Sequence, residues 1–127
     1  MNGQAIQVSP IHTLEESLIV AGFPYNLEDK MNTYFEILKE LVKTTHGIRR
    51  LGSAAVDLAY VACGRFNAYF EFNLKIWDIA AGILIVREAG GTVTDFTGGN
   101  GFLYGKELVA AGAVHPKVLK TISTHWN

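Results

Sequence analysis

Residues 77–91 run Trp-Asp-Ile-Ala-Ala-Gly-Ile-Leu-Ile-Val-Arg-Glu-Ala-Gly-Gly, and this stretch constrains the fold more than any other. A carboxylate, Asp78, stands at the start of an apolar helix. Ala80, Ala81 and Gly82 are small where that helix must pack closely, and Gly90-Gly91 stops it. The apolar core of the stretch, Ile79 to Val86, is far too short to span a membrane. It therefore predicts a helix laid against a sheet or another helix.

The rest of the chain alternates strand and helix around it. Ala5–Ser9 alternates after Asn2-Gly3, a hairpin-turn pair, and predicts a strand whose pairing partner would precede Met1. On that reading the chain starts inside a larger structure. Leu18–Ala21 is a short, non-alternating apolar run, as in a strand buried on both faces. Asn26, with Glu28 and Asp29 behind it, reads as a helix N-cap. Met31, Tyr34, Phe35, Leu38, Leu41 and Val42 then follow the three-four spacing of one helical face, and Gly47 ends the helix.

Ile48–Leu51 predicts a strand, Ala54–Cys63 a small-residue helix opened by Gly52-Ser53, and Ala68–Phe72 another strand. Thr92–Phe96 and Glu107–Ala111 are further strands, joined through a loop, Thr97–Gly101, that reads as a flexible connection. Pro116 suits the first turn of a last helix whose inner face holds Val118, Leu119 and Ile122. This order predicts one α/β domain over residues 1–127, a layered α/β/α arrangement around a mixed, largely buried sheet.

Composition narrows the function classes. At 127 residues the chain holds one ordinary domain, and 49% hydrophobic against 18% charged content makes it globular. That hydrophobic share is high, consistent with a full core or with a face meant for a partner. A net charge of −1 gives no basis for binding nucleic acid or an acidic membrane surface. Cys63 is the only cysteine, so no intramolecular disulfide forms. No signal peptide is read at Met1–Gln4, and a soluble protein of the reducing cytoplasm is the expectation.

Two groups of residues point to chemistry. Asp78 is either a local helix cap or a ligand to a hard cation, with Glu71 arriving at the end of the preceding strand and Trp77 walling the site. Arg49-Arg50-Leu51-Gly52-Ser53-Ala54 offers free amides at a helix start, suited to a phosphate or a hydroxyl-bearing ligand, or is an ordinary serine-capped turn. Asp57 reads as facing outward or capping locally. His12, His46, His115 and His125 lack paired metal-ligand spacing and read as surface or helix-end residues. Cys63 reads as a small buried residue, and no Walker pattern or Gly-x-Ser-x-Gly elbow occurs.

Residues 52–65, Gly-Ser-Ala-Ala-Val-Asp-Leu-Ala-Tyr-Val-Ala-Cys-Gly-Arg, then Ala68–Phe72, then the Trp-Asp stretch, resemble the C-terminal half of bacterial inositol-monophosphatase-like enzymes in order and in gaps. Asn2–Ser9 and Gly22–Tyr25 resemble the family's preceding segments, so the likeness runs through the whole chain. The resemblance implies a magnesium-dependent phosphatase acting on a phosphorylated polyol. It implies that Asp78 ligates a catalytic metal, that Glu71 hydrogen-bonds a substrate hydroxyl, and that Gly52, Ser53 and Ala54 line the same pocket. Lys75 falls where family members vary.

The family's upstream glutamate and Asp-Pro-Ile-Asp-Gly-Thr-like segment, which supply most metal ligands, have no counterpart here. The expectation is a C-terminal, polyol-binding half without a complete catalytic set, binding magnesium weakly or not at all alone. A missing N-terminal domain, or a second copy of the chain, would be its partner. The Trp-Asp-x-Ala-Ala-Gly form favours inositol monophosphatase over the fructose-bisphosphatase and bisphosphate-nucleotidase branches. A non-catalytic, self-associating remnant is the alternative.

Overall fold

The structure, a computed structural model, describes residues 3–22, 30–72, 74–102 and 107–126. Five strands, β1 (Leu18–Ala21), β2 (Gly47–Arg49), β3 (Ala68–Phe72), β4 (Thr92–Thr94) and β5 (Glu107–Ala111), form one sheet in the order β2-β1-β3-β5-β4. β1 pairs in parallel with β2 and β3, whereas β5 runs antiparallel to both β3 and β4. Among the described residues four helices cover it: α1 (Met31–Thr44), α2 (Ala54–Ala62), α3 (Ile76–Glu88) and α4 (His115–His125).

Strand alternation divides the core between two faces. Ile19, Ala21, Ala68, Phe70, Val109 and Ala111 point to one side, where Tyr34, Ile37, Leu38 and Leu41 of α1 and Val118 and Ile122 of α4 bury them. Val20, Tyr69, Leu108 and Ala110 point to the other, beneath Leu58 and Val61 of α2 and Ile79, Ile83 and Val86 of α3. The result is the expected α/β/α sandwich around a mixed sheet. Its two edge strands, β2 and β4, have three residues each, which limits the unpaired backbone they expose.

The helices show why small residues were needed. A Cβ added to Gly82 would stand 2.5 Å from Leu58 Cδ1 and 2.7 Å from Leu58 Cβ, so α2 and α3 touch backbone to side chain. Gly90 turns the chain out of α3 at φ +90, and its N–H donates to Arg87 O at 3.0 Å. Among the described residues no helix is long and apolar enough to cross a membrane.

Several local expectations are corrected. Residues 5–9 join no ladder; Val8 N donates to Ala89 O at 3.1 Å, and Ser9 O accepts from Ala113 N at 3.2 Å. The segment is tied to the ends of other elements, which satisfies its backbone without a strand partner. On α1, Met31, Phe35 and Val42 are exposed and Ile37 takes their place in the core. α1 is described from Met31 with Lys30 before it, and Asn26, Glu28 and Asp29 lie outside the described residues.

The strand read as Ile48–Leu51 is Gly47–Arg49, and that read as Thr92–Phe96 stops at Thr94. The loop after β4 is held by Asp95. Its Oδ1 accepts from Thr97 N (2.9 Å), Thr97 Oγ1 (2.7 Å) and Gly99 N (2.8 Å), and its Oδ2 from Gly101 N (3.0 Å). Those donors outweigh partial burial and hold the Asp95 carboxyl below its usual range. Cys63 is only partly buried.

Candidate functional site

Because β1, β2 and β3 are parallel, their carboxyl ends lie along one edge of the sheet, where open α/β sheets place ligands. Arg50 and Ser53 follow β2, Gly22 follows β1, Glu71 sits near the end of β3, and Asp78 stands in the first turn of α3.

Glu71 is the anchored member of this group. It shares a strand face with Tyr69, two residues earlier, and Tyr69 donates its hydroxyl proton to Glu71 Oε1 at 2.5 Å. On its other side lies Gly22, where a Cβ would fall 1.8 Å from Glu71 Oε1. A side chain at position 22 would force the Glu71 carboxylate to move. Gly22 is itself fixed, its N–H donating to Phe70 O at 3.2 Å and its carbonyl accepting from the buried Tyr34 hydroxyl.

Burial raises the Glu71 pKa; the Tyr69 hydrogen bond opposes this, the Asp78 charge adds to it, and Arg50 counters it. The Tyr34 and Tyr69 phenols are pushed up by burial and by the Glu71 charge, so both remain protonated donors.

Ser53 caps α2 in the ordinary way. Its backbone is extended, and its Oγ accepts from Val56 N at 3.3 Å. Gly52, at φ +82, meets nothing within 4 Å of a built Cβ, so its glycine serves the turn rather than a close approach within the described residues. Ser53 and Ala54 are half-buried.

Asp78 is exposed, its N–H donates to Lys75 O at 2.9 Å, and Lys75 rather than Asp78 holds the N-cap position of α3. Trp77 is 76% exposed and forms no wall of a site within the described residues.

Asp57 reverses its expectation. It lies on the inner face of α2 with Leu58, Val61 and Ala62, is 1% exposed, and leaves Oδ1 without a hydrogen-bond partner. Burial, followed by the Glu71 charge, pushes its pKa up to about 7. Beside Glu71 and Asp78 the arrangement thus includes a third acidic group, Asp57, and a tyrosine, Tyr69, to which the sequence assigns no role at the site. Tyr69 could have been found from its two-residue spacing to Glu71; nothing in the small-residue helix marks which way Asp57 points.

His115 is likewise buried at the start of α4, with Nε2 3.0 Å from Thr94 Oγ1, and burial lowers its pKa. It stands at the start of α4, hydrogen-bonded to Thr94, and belongs to none of the elements that meet at this edge.

The donors present do not make a cation cage. Among the described residues no group of three His, Cys, Asp or Glu side chains could hold a metal ion. Magnesium needs several oxygens around it, and here Asp78 is a single exposed carboxylate while Glu71 is committed to Tyr69. No metal-assisted step is derived from these residues alone.

A mixed sheet lies between two helix layers, with an anchored carboxylate and two helix N-termini at the carboxyl ends of its parallel strands, the architecture of an α/β domain. The inositol monophosphatase family model matches residues 1–127, and the chain belongs to that family. It is similar to phosphatase IMPL1, chloroplastic, of Arabidopsis thaliana, with 46% identity over 96% of this chain and 33% of that protein. It is equally similar to Nus factor SuhB of Pseudomonas aeruginosa, with 46% identity over 98% of this chain and 47% of the relative. Among solved structures, inositol monophosphatase from Anabaena (Nostoc) superposes with a TM-score of 0.90 at 36% identity, covering 98% of this chain and 51% of that one. The chain therefore spans a third to about half the length of the proteins it matches.

Proposed function

We propose that this chain is the polyol-binding, C-terminal half of a magnesium-dependent phosphatase that hydrolyses inositol monophosphate or a related sugar phosphate. The observation that carries the reading is the Glu71 carboxylate, held between Tyr69 and the side-chain-free face of Gly22 at the ligand edge of the sheet. A fixed carboxylate accepts hydrogen bonds from substrate hydroxyls without having to be ordered on binding. Gly52, Ser53 and Ala54 at the start of α2 would line the same pocket, and Asp78 would give one oxygen to a metal whose other ligands come from the rest of a family-length chain. Magnesium supplies water activation and leaving-group stabilisation once a full ligand set is assembled.

On this reading the chain alone turns over no inositol phosphate and binds magnesium weakly. Calorimetric titration with inositol 1-phosphate tests the polyol site: weak binding that Glu71→Gln removes is the expected result. Binding unaffected by Glu71→Gln would sink the assignment of Glu71. Robust magnesium-dependent turnover, abolished by Asp78→Asn, would overturn the reading of the chain as an incomplete catalyst.

A further inference from the structure

Glu71 has two backbone neighbours that fix where it lies, Phe70 before it in β3 and Gly22 beside it at the end of β1. One side chain holds both. Tyr34 of α1 is fully buried among the residues that pack on Ile19, Ala21 and Phe70, the face of the sheet opposite Tyr69 and Glu71. Its ring packs on Phe70 with centroids 5.7 Å apart, and its hydroxyl donates to the Gly22 carbonyl. Gly22 N donates in turn to Phe70 O at 3.2 Å, which closes a circuit through Tyr34, Gly22 and Phe70 behind the carboxylate.

The Gly22 carbonyl lies beyond the last ladder pair of β1, Ala21 with Phe70, and takes its hydrogen bond from a side chain of the helix layer instead. The place of that backbone matters to Glu71. A Cβ built on Gly22 would stand 1.8 Å from Glu71 Oε1 and 2.0 Å from Cδ, so a shift of the Gly22 backbone either displaces the carboxylate or frees it. The two groups also feel each other, since the Glu71 charge adds to burial in pushing the Tyr34 phenol up, and Tyr34 stays a donor.

We propose that Tyr34 is a positioning residue for polyol recognition: from the opposite face of the sheet it fixes Gly22 and Phe70, and through them the Glu71 carboxylate. The proposal rests on the reading of Glu71 as the group that receives substrate hydroxyls. Tyr69 holds the carboxylate directly, and Tyr34 holds the backbone it lies against. A glutamate held on both sides has little side-chain freedom left to lose when a ligand binds. Without the Tyr34 hydroxyl, the buried Gly22 carbonyl loses this donor and its peptide turns to find another. Glu71 then regains freedom that the ligand has to remove.

The test is calorimetric titration with inositol 1-phosphate of the parent chain, Tyr34→Phe and Leu41→Ala, at a temperature where all three are folded. Leu41 is fully buried further along α1, and its truncation costs more stability than the loss of one hydroxyl. Tyr34→Phe is expected to weaken binding by about three- to tenfold, the cost of ordering one long side chain, and Leu41→Ala to leave it unchanged. Parent affinity in Tyr34→Phe, or equal losses in both variants, overturns the proposal.

A parent chain that binds no inositol 1-phosphate removes the functional reading of Glu71, and the positioning role is then decided without ligand. Exchange of the Tyr34 and Tyr69 hydroxyl protons with water is read by nuclear magnetic resonance on isotope-labelled tyrosine. Tyr34→Phe is expected to speed exchange at Tyr69 by about tenfold over its rate in Leu41→Ala, the effect of one lost buried hydrogen bond. Coupling is reciprocal, so Glu71→Ala is expected to speed exchange at Tyr34 in return, a measurement that stands even where Tyr34→Phe does not fold. Either rate left unmoved overturns the proposal.

Discussion

The α1–α4 layer and the α2–α3 layer cover opposite faces of one sheet, yet they meet the outside differently. α4 turns Lys117, Lys120, Ser123 and Thr124 outward, and α1 turns out Asn32, Glu36, Lys39 and Lys43 alongside its exposed apolar residues. A side-chain contact links the two helices, His125 Nε2 lying 2.8 Å from Glu40 Oε1, and Trp126 Nε1, just past α4, donates to Glu107 Oε2 of β5 at 2.8 Å. The α2–α3 pair instead closes by approach, Gly82 against Leu58, and leaves Trp77 and Leu84 uncovered. Both layers expose apolar side chains, Met31, Phe35 and Val42 on α1 and Trp77, Leu84 and Ile85 on α3, but α3 carries no charged residue between Asp78 and Arg87. The carboxyl ends of the parallel strands adjoin the α2–α3 layer, because α2 and α3 start after Ser53 and Lys75 at that edge of the sheet.

The sharpest way to break this comparison uses two neighbours on α3. Ile83 is 5% exposed and Leu84 62%. Ile83→Ala is expected to destabilise the chain by about 2–4 kcal/mol, the usual cost of emptying a buried aliphatic site. Leu84→Ala is expected to change stability by less than about 0.5 kcal/mol, as at a surface position. Urea unfolding of both variants checks this, and equal losses would mean that the outer face of α3 is covered in the isolated chain.

A second prediction concerns the buried acid on α2. Asp57 has a folded pKa of about 7, well above the value for an unfolded aspartate. It binds its proton more tightly when folded, so its contribution is complete below about pH 4 and is lost as pH rises through 7. The ideal loss is about 4 kcal/mol, and relaxation around the carboxylate reduces it to on the order of 2 kcal/mol. Asp57→Asn is expected to stabilise the chain at pH 8 relative to the parent and to give no such gain at pH 4. Asp95 shifts in the opposite direction in both proteins, so the difference between variants reports Asp57 together with its coupling to Glu71. A constant difference across the pH range would show that the Asp57 carboxyl is not held neutral.

The smallest effect is expected at the cap of α2. Ser53→Ala removes the acceptor for Val56 N and should cost about 1 kcal/mol in unfolding free energy. Because Ser53 is also a proposed pocket residue, the same variant in calorimetry separates a local cap from a ligand contact. Unchanged affinity for inositol 1-phosphate would confine Ser53 to capping.

Much of the frame was legible because its signals are local. Leu18–Ala21, Ala68–Phe72 and Glu107–Ala111 are strands with the ends read from the chain, each a short apolar run bounded by breakers. The small residue at Gly82 announced a close helix contact, and the contact is there. Ala5–Ser9 looked the same in local pattern, but a strand exists only where a partner offers a ladder, and none of the described residues does. The Thr97–Gly101 loop was read as flexible because its composition is glycine-rich. The Asp95 carboxylate, two to six residues away from the amides it binds, orders it.

The sequence by itself determined the alternation of strands and helices, the layered sandwich and the family, because those follow from periodicity, breakers and motif spacing. Only the tertiary structure decided the strand order, which puts β3 beside β1 and so sets Gly22 against Glu71. It also decided which way Asp57 faces and which side of α3 stays uncovered. A helix apolar all round carries no periodic mark of its inner side, so its orientation is fixed by the sheet it packs on and not by its own residues.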